Sequence, residues 1–223
     1  MNTQSEHLKN LQEVRSTMER SSRFLSLSGF SGIFAGLFAL LGVLVVYIYQ
    51  QDFFYGKNIT QGIFLDETML SPNEVNGLIA FLFFDALFIL IFALVMAVYF
   101  AMRNVRKNGL PVWDSIAKRM LVSLFIPLVT GGVFCFVLMH HHLIYLIAPS
   151  TLVFYGLSLV SASKYTLSNV RYLGIAEVIL GLIAMFYTTY GLIIWAVGFG
   201  VLHVIYGLSM FGKYEKNIIQ AKE

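Results

Sequence analysis

The chain has 223 residues, of which 58 % are hydrophobic and only 12 % are charged. Soluble domains carry about 25 % charged residues, and here the apolar residues form long blocks between short polar segments. The composition therefore excludes a soluble globular core and predicts an all-α, polytopic membrane protein. The net charge of +3 is small, so only its distribution is informative. The single cysteine, Cys135, excludes an intrachain disulfide.

The first segment, residues 1–23, is charged throughout and predicts a cytoplasmic amphipathic helix. Thr3 and Glu6 fit a capping box at its start. Its narrow apolar stripe consists of Leu8, Leu11, Val14 and Met18. Such a helix lies on the membrane surface or pairs with a copy of itself, or it only leads into the first span.

The second segment, residues 24–212, predicts a domain of six transmembrane helices, because its apolar runs are each long enough to cross a bilayer. We expect the first four spans near residues 24–49, 72–102, 120–139 and 143–163. The last two form a hairpin over 169–213 with a turn at 187–191, and a cytoplasmic tail, residues 213–223, follows the domain.

Prolines and small residues add detail to these spans. The sequence around Pro72 predicts a helix start, since proline is favoured at the first helical position. Pro127 predicts a kink in span three, whereas Pro149 either kinks span four or starts it. Span four also has a small, mildly polar face, formed by Tyr155, Ser158, Ala162 and Tyr165.

A ridge of small residues recurs every fourth position in span one, at Ser28, Gly32 and Gly36. Ridges of this kind allow a second helix to approach closely in a membrane. The second helix belongs either to the same chain or to a partner, which would be another copy of the chain or a different membrane protein.

The last hairpin contains one ionisable residue in each helix, Glu177 and His203. Glu177 lies eight residues after Asn169 and His203 eight residues before Phe211, so both lie roughly 12 Å from the same end of the hairpin. Because the two helices are antiparallel, the carboxyl and the imidazole are expected at the same depth, where neither is cheaply left unpaired. They could form a proton relay or a polar substrate site, or a hydrogen bond that only holds the helices together.

Asp85 is a third intramembrane ionisable residue, in span two. It could join Glu177 and His203 only if span two packs beside the hairpin. The alternative is a structural hydrogen bond inside the helix bundle.

Three consecutive histidines, His140, His141 and His142, follow span three and invite a metal-site hypothesis. Consecutive residues on a helix point about 100° apart, so they converge on one ion only where the backbone is irregular. A zinc or copper site would also need further ligands. A solvated histidine run at the membrane interface is the favoured interpretation.

The basic residues define an orientation. Four Lys or Arg precede span one, five lie between spans two and three, two between spans four and five, and three follow span six, leaving only Lys57 on the other side. This distribution follows the positive-inside rule and predicts cytoplasmic N- and C-termini.

Four segments together carry a resemblance to known sequences: SSRFLSLSG at 21–29, IPLVTGG at 126–132, SKYTLS and RYLG within 163–174, and WAVGFGVLHVIYG at 195–207. The chain resembles an uncharacterised family of six-helix integral inner-membrane proteins of Bacteroidota. The resemblance implies an inner-membrane location and this topology, and it supplies no activity or catalytic residues.

Two functional hypotheses follow. The first is a non-enzymatic sensor, regulatory or accessory membrane component, in which Glu177 and His203 form a polar contact that responds to pH. The second is a small transporter or channel-like protein that moves protons or a small solute past Asp85, Glu177 and His203. The sequence has no nucleophile elbow, phosphate-binding loop or zinc-protease motif. A third hypothesis, a membrane enzyme, is therefore disfavoured by the lack of a recognisable catalytic constellation, and the sequence indicates no cofactor and no nucleic-acid partner.

Overall fold

The computed structural model describes residues 29–54, 72–107, 115–166 and 168–212. Within these ranges the chain is helical and contains no strand. Six of its helices are long and apolar enough to cross a membrane. This confirms the predicted all-α class and the six spans. The helix predicted for residues 1–23 and the tail predicted for residues 213–223 lie outside the described ranges.

The first five spans are single α-helices: α1 (Gly29–Phe54), α2 (Pro72–Lys107), α3 (Ser115–His140), α4 (Ile147–Ala162) and α5 (Ser168–Phe186). The sixth span, α6, consists of three consecutive stretches: an α-helical turn (Gly191–Trp195), a π-helical segment (Ala196–Leu202) and an α-helix (His203–Met210). Short 3₁₀ turns flank α4 and join α5 to α6, at Ile144–Leu146, Ser163–Tyr165 and Thr188–Tyr190.

The structure decides between the two roles of Pro149. This residue lies in the first turn of α4, where backbone N–H groups have no partner within the helix. A proline there removes no helical hydrogen bond, so Pro149 starts span four and does not kink it. Pro127, in contrast, lies inside α3. The start of α2 at Pro72 agrees with the capping prediction.

The described helices follow one another in space in an order that differs from the chain order. Helix α1 packs between α2 and α6, α6 packs on α5, α5 on α4, and α4 on α3, while the first turn of α6 also contacts α4. In the most apolar stretch of α4, 39 % of the residues are buried, against 6 % in α2. The core therefore lies among α1, α4, α5 and α6, and α2 is peripheral.

Glycines bring the core helices into backbone contact. A Cβ atom at Gly36 of α1 would lie 2.6 Å from the Gly200 carbonyl oxygen of α6. A Cβ atom at Gly156 of α4 would lie 2.6 Å from the Gly174 carbonyl oxygen of α5. Gly32 also faces α6, so the described part of the small-residue ridge packs within the chain. Ser28, the third member of that ridge, lies outside the described residues.

Candidate functional site

Three neighbouring helices each supply one polar side chain to a single cluster in the core. Tyr155 comes from α4, Glu177 from α5 and His203 from α6. The turn Thr188–Tyr190 makes α5 and α6 antiparallel, which brings Glu177 and His203 to the same depth. We call these three residues the Tyr-His-Glu cluster.

The imidazole of His203 lies between the other two members. Its Nε2 atom is 2.8 Å from the hydroxyl oxygen of Tyr155. Its Nδ1 atom is 3.1 Å from the carbonyl oxygen of Gly198 and 3.3 Å from Oε1 of Glu177. Both neighbours of Nδ1 are acceptors, so we assign the proton of the neutral ring to Nδ1. Nε2 then accepts a hydrogen bond from the Tyr155 hydroxyl, and Nδ1 donates to Gly198.

Glu177 is the most deeply buried member of the cluster. Its side chain has 0 % exposure and that of His203 has 6 %. Neither carboxylate oxygen has a hydrogen-bond partner among the described residues. An isolated buried carboxyl group is costly in a membrane, so the nearby imidazole of His203 is the contact that matters most to Glu177.

The local structure of α6 makes this close approach possible. Gly198 lies in the π-helical segment, and a Cβ atom there would be 2.6 Å from Oε2 of Glu177. Only a glycine leaves room for the carboxyl group at this point. The carbonyl of the same residue accepts the Nδ1–H of His203, five residues further along the chain. Isolated π-helical turns are frequent at functional sites.

Aromatic and aliphatic side chains surround the polar atoms. The Phe199 ring stacks against His203, with ring centroids 5.9 Å apart, and also lies against Tyr155, at 4.9 Å. Tyr155 packs further against a buried group formed by Leu159, Val170 and Leu173. This apolar surrounding lowers the local dielectric constant and so strengthens electrostatic interactions within the cluster.

Asp85 does not belong to the cluster. It lies on α2 and faces α1, where a Cβ atom at Gly42 would be 3.3 Å from its Oδ2 atom. Helix α1 packs between α2 and α6, so the condition that would bring Asp85 to the hairpin is not met. Within the described ranges, Asp85 has no hydrogen bond or ion pair.

The three histidines after α3 are exposed and lie in an irregular stretch of backbone. His140 is the last residue of the helix, and His142 has a positive φ of 58°. The rings of His140 and His141 meet edge to face, with centroids 5.2 Å apart. Among the residues that the structure describes, no three His, Cys, Asp or Glu side chains are grouped so that they could hold a metal ion.

Sequence reasoning overlooked two parts of the cluster, the hydrogen bond of Tyr155 and the π-helical segment. Tyr155 was recognised only as part of a mildly polar face, because a tyrosine in an apolar helix has no distinctive spacing. One sequence feature accompanies the π-helical segment. Gly198 and Gly200 lie five and three residues before His203. A histidine that follows closely spaced glycines is compatible with ordinary helix packing as well.

No protein-family model, no curated protein and no solved structure matches the chain. Its six apolar helices are those of a multi-pass membrane protein. The Tyr-His-Glu cluster is the candidate functional site within them.

Proposed function

We propose that this chain is a non-enzymatic component of the inner membrane, acting as a sensor, regulatory or accessory protein through the Tyr-His-Glu cluster. The observation that carries the proposal is the closed, buried contact of Glu177 with His203, which joins α5 to α6 and, through Tyr155, to α4. A change in the protonation of this cluster is therefore also a change in the bonds between three helices.

The arrangement is less suited to transport. A proton relay needs successive groups within hydrogen-bonding reach of one another. Asp85, which the transporter hypothesis uses as an intermediate site, faces Gly42 on α1, away from the cluster. Within the described ranges no third His, Cys, Asp or Glu joins Glu177 and His203. The described cluster thus contains one carboxyl group and one imidazole, and Asp85 does not extend it.

The proposed orientation has both termini in the cytoplasm. It rests on the distribution of Lys and Arg, which are concentrated on one side of the six spans. In this orientation Glu177 and His203 lie toward the cytoplasmic leaflet, and the three histidines after α3 lie toward the outside. The cluster would accordingly respond to conditions near the inner surface of the membrane.

The proposal is tested by proton flux in reconstituted vesicles. Purified wild-type protein and the Glu177→Gln variant are placed in vesicles that enclose a pH-sensitive dye, and a pH gradient is imposed. We expect both proteins to leak protons no faster than protein-free vesicles, because the proposal gives the cluster a regulatory role and no role in transport. The melting temperature of the variant in detergent should nevertheless fall, since the contact between the carboxyl group and His203 is lost.

The matched control is Asp85→Asn, which removes the carboxylate outside the cluster. Rapid flux through the wild-type protein that is abolished by Glu177→Gln, in a variant that remains folded, would contradict the proposal. It would establish the transporter hypothesis instead.

A further inference from the structure

We infer that the π-helical segment of α6 is a two-state element, held in its wide form by the contact between His203 and Glu177, and that it transmits the state of this contact to α1. The inference rests on the proposed function, because it names how the Tyr-His-Glu cluster would regulate the rest of the molecule. It goes further in identifying which helix moves and why.

The π-helical segment lies directly beside the Tyr-His-Glu cluster in the chain. Ala196–Leu202 ends immediately before His203. The side-chain Nδ1 of His203 reaches back to the carbonyl oxygen of Gly198, at 3.1 Å. This bond comes from the side chain, while the backbone N–H of His203 donates to the carbonyl oxygen of Gly200. The imidazole therefore donates a hydrogen bond to a carbonyl group inside the π-helical segment. Oε1 of Glu177 lies 3.3 Å from the same nitrogen, Nδ1.

The π-helical segment also packs between two neighbouring helices, α5 and α1. Gly198 faces the carboxyl group of Glu177 on α5, and Gly200 faces the side chain of Leu40 on α1. A Cβ atom at Gly198 would be 2.6 Å from Glu177 Oε2, so the cluster side has no spare room. A change in the width of the segment must alter both contacts together.

Conversion of the segment to an α-helix would also move the residues of α6 that follow it. A π-helical turn holds one residue more than an α-helical turn, so conversion to α-helix offsets the rest of α6 by one residue, or about 100° around the axis. A Cβ atom at Gly207 would lie 2.6 Å from the Gly29 carbonyl oxygen, and one at Gly36 would lie 2.9 Å from the Val204 nitrogen. Helices in backbone contact cannot tolerate such a rotation in place.

Helix α1 must then shift against α6. The backbone contacts of Gly29 and Gly36 with α6 are the ones that such a shift would change. Packed interfaces of this kind have discrete arrangements rather than a continuum, which turns a small local change into a helix displacement.

The ionisable groups that face His203 are few. They are Tyr155 on α4 and Glu177 on α5, while Tyr206 on α6 itself packs against the neighbouring group formed by Leu159, Val170 and Leu173. Helix α1, which also packs on α6, has no ionisable side chain between Gly29 and Val46. We therefore expect the exchange of a proton or the loss of a partner within the cluster to alter the contact.

Spin-label distances test the inference in the full-length protein, in lipid nanodiscs and in a Cys135→Ala background. One label is placed on α3 at Val133, and the second is placed in turn at Ile205, Leu37 or Ile193. All four side chains are exposed, so the labels disturb no buried contact. Ile205 follows the π-helical segment, Leu37 reports α1, and Ile193 precedes the segment and is the control.

The variant to compare with wild type is Glu177→Met combined with His203→Phe, which replaces both polar partners by apolar side chains of similar size and leaves no charge unpaired. We expect the distance to Ile205 to shift by roughly 5–8 Å, the displacement of a side chain rotated by about 100°, and the distance to Leu37 to change with the displacement of α1. The distance to Ile193 should stay unchanged.

Unchanged distances at both Ile205 and Leu37 would overturn the inference, because packing alone would then hold the segment wide. If the double variant does not fold, the single variant His203→Phe is measured in the same way and read by the same criterion. The outcome is independent of proton flux. A null shift leaves the proposed function standing, and rapid flux through the wild-type protein overturns the proposed function even where the shift is found.

Discussion

The two described intramembrane carboxyl groups lie in opposite kinds of surroundings. Glu177 is fully buried where α4, α5 and α6 meet, and it contacts an imidazole. Asp85 is only partly buried on α2, against a glycine of α1, and forms no hydrogen bond or ion pair among the described residues. An ionisable residue in a transmembrane helix is therefore not a sufficient sign of a site. What distinguishes Glu177 is the convergence of several helices on it.

Helix packing explains this difference. Glycines bring α1 to α6 and α4 to α5 at backbone distance, so side chains from different helices meet around Glu177. Helix α2 instead exposes large apolar residues such as Phe84 and Val95, at 66 % and 57 %. These faces suit contact with lipid chains. We expect substitutions in the close-packed region to destabilise the protein, and substitutions in α2 to be tolerated.

The largest effect in this comparison is expected from Gly198→Ala. The added Cβ atom would meet both Glu177 Oε2 and the side chain of Leu152. We expect the unfolding free energy, measured by denaturant titration in detergent, to fall by about 1–3 kcal/mol, the usual cost of overpacking a filled core.

Gly132→Ala is the matched control, since a Cβ atom at Gly132 in α3 would meet nothing within 4 Å. It should leave the stability unchanged or raise it by up to about 1 kcal/mol, because alanine favours helix over glycine. Equal losses in the two variants would show that glycine itself, rather than the room beside Glu177, is required at Gly198.

A much smaller effect is expected from Asp85→Asn. The substitution keeps the shape of the side chain and breaks no contact that the structure describes, so the unfolding free energy should change by no more than about 0.5 kcal/mol. The same titration in detergent measures it. A loss of several times this amount would mean that Asp85 has a structural partner and that the contrast with Glu177 fails.

Much of the fold was predictable because lipid imposes simple rules on a sequence. The spans follow from the length of the apolar runs, and the start of α2 follows from Pro72, since proline fits the first helical position. The shared depth of Glu177 and His203 follows from their equal distance from one end of an antiparallel hairpin. These are local properties of the chain, or nearly so.

The remaining features depend on contacts between distant segments. Nothing near Tyr155 indicates that its hydroxyl meets His203, 48 residues away. The π-helical segment arises from the packing of Gly198 and Gly200 against two different helices. The position of α1 between α2 and α6, which separates Asp85 from the cluster, is likewise a property of the whole bundle.

The central claim is that Glu177 and His203 act as one unit, and a double-mutant cycle measures this directly. Unfolding free energies are determined in detergent for the wild-type protein, for Glu177→Gln, for His203→Phe and for the double variant. The account predicts that the double variant is more stable than the sum of the single effects by about 1–2 kcal/mol, because the second substitution removes a group that the first has already left without its partner. Effects that add within about 0.5 kcal/mol would contradict it.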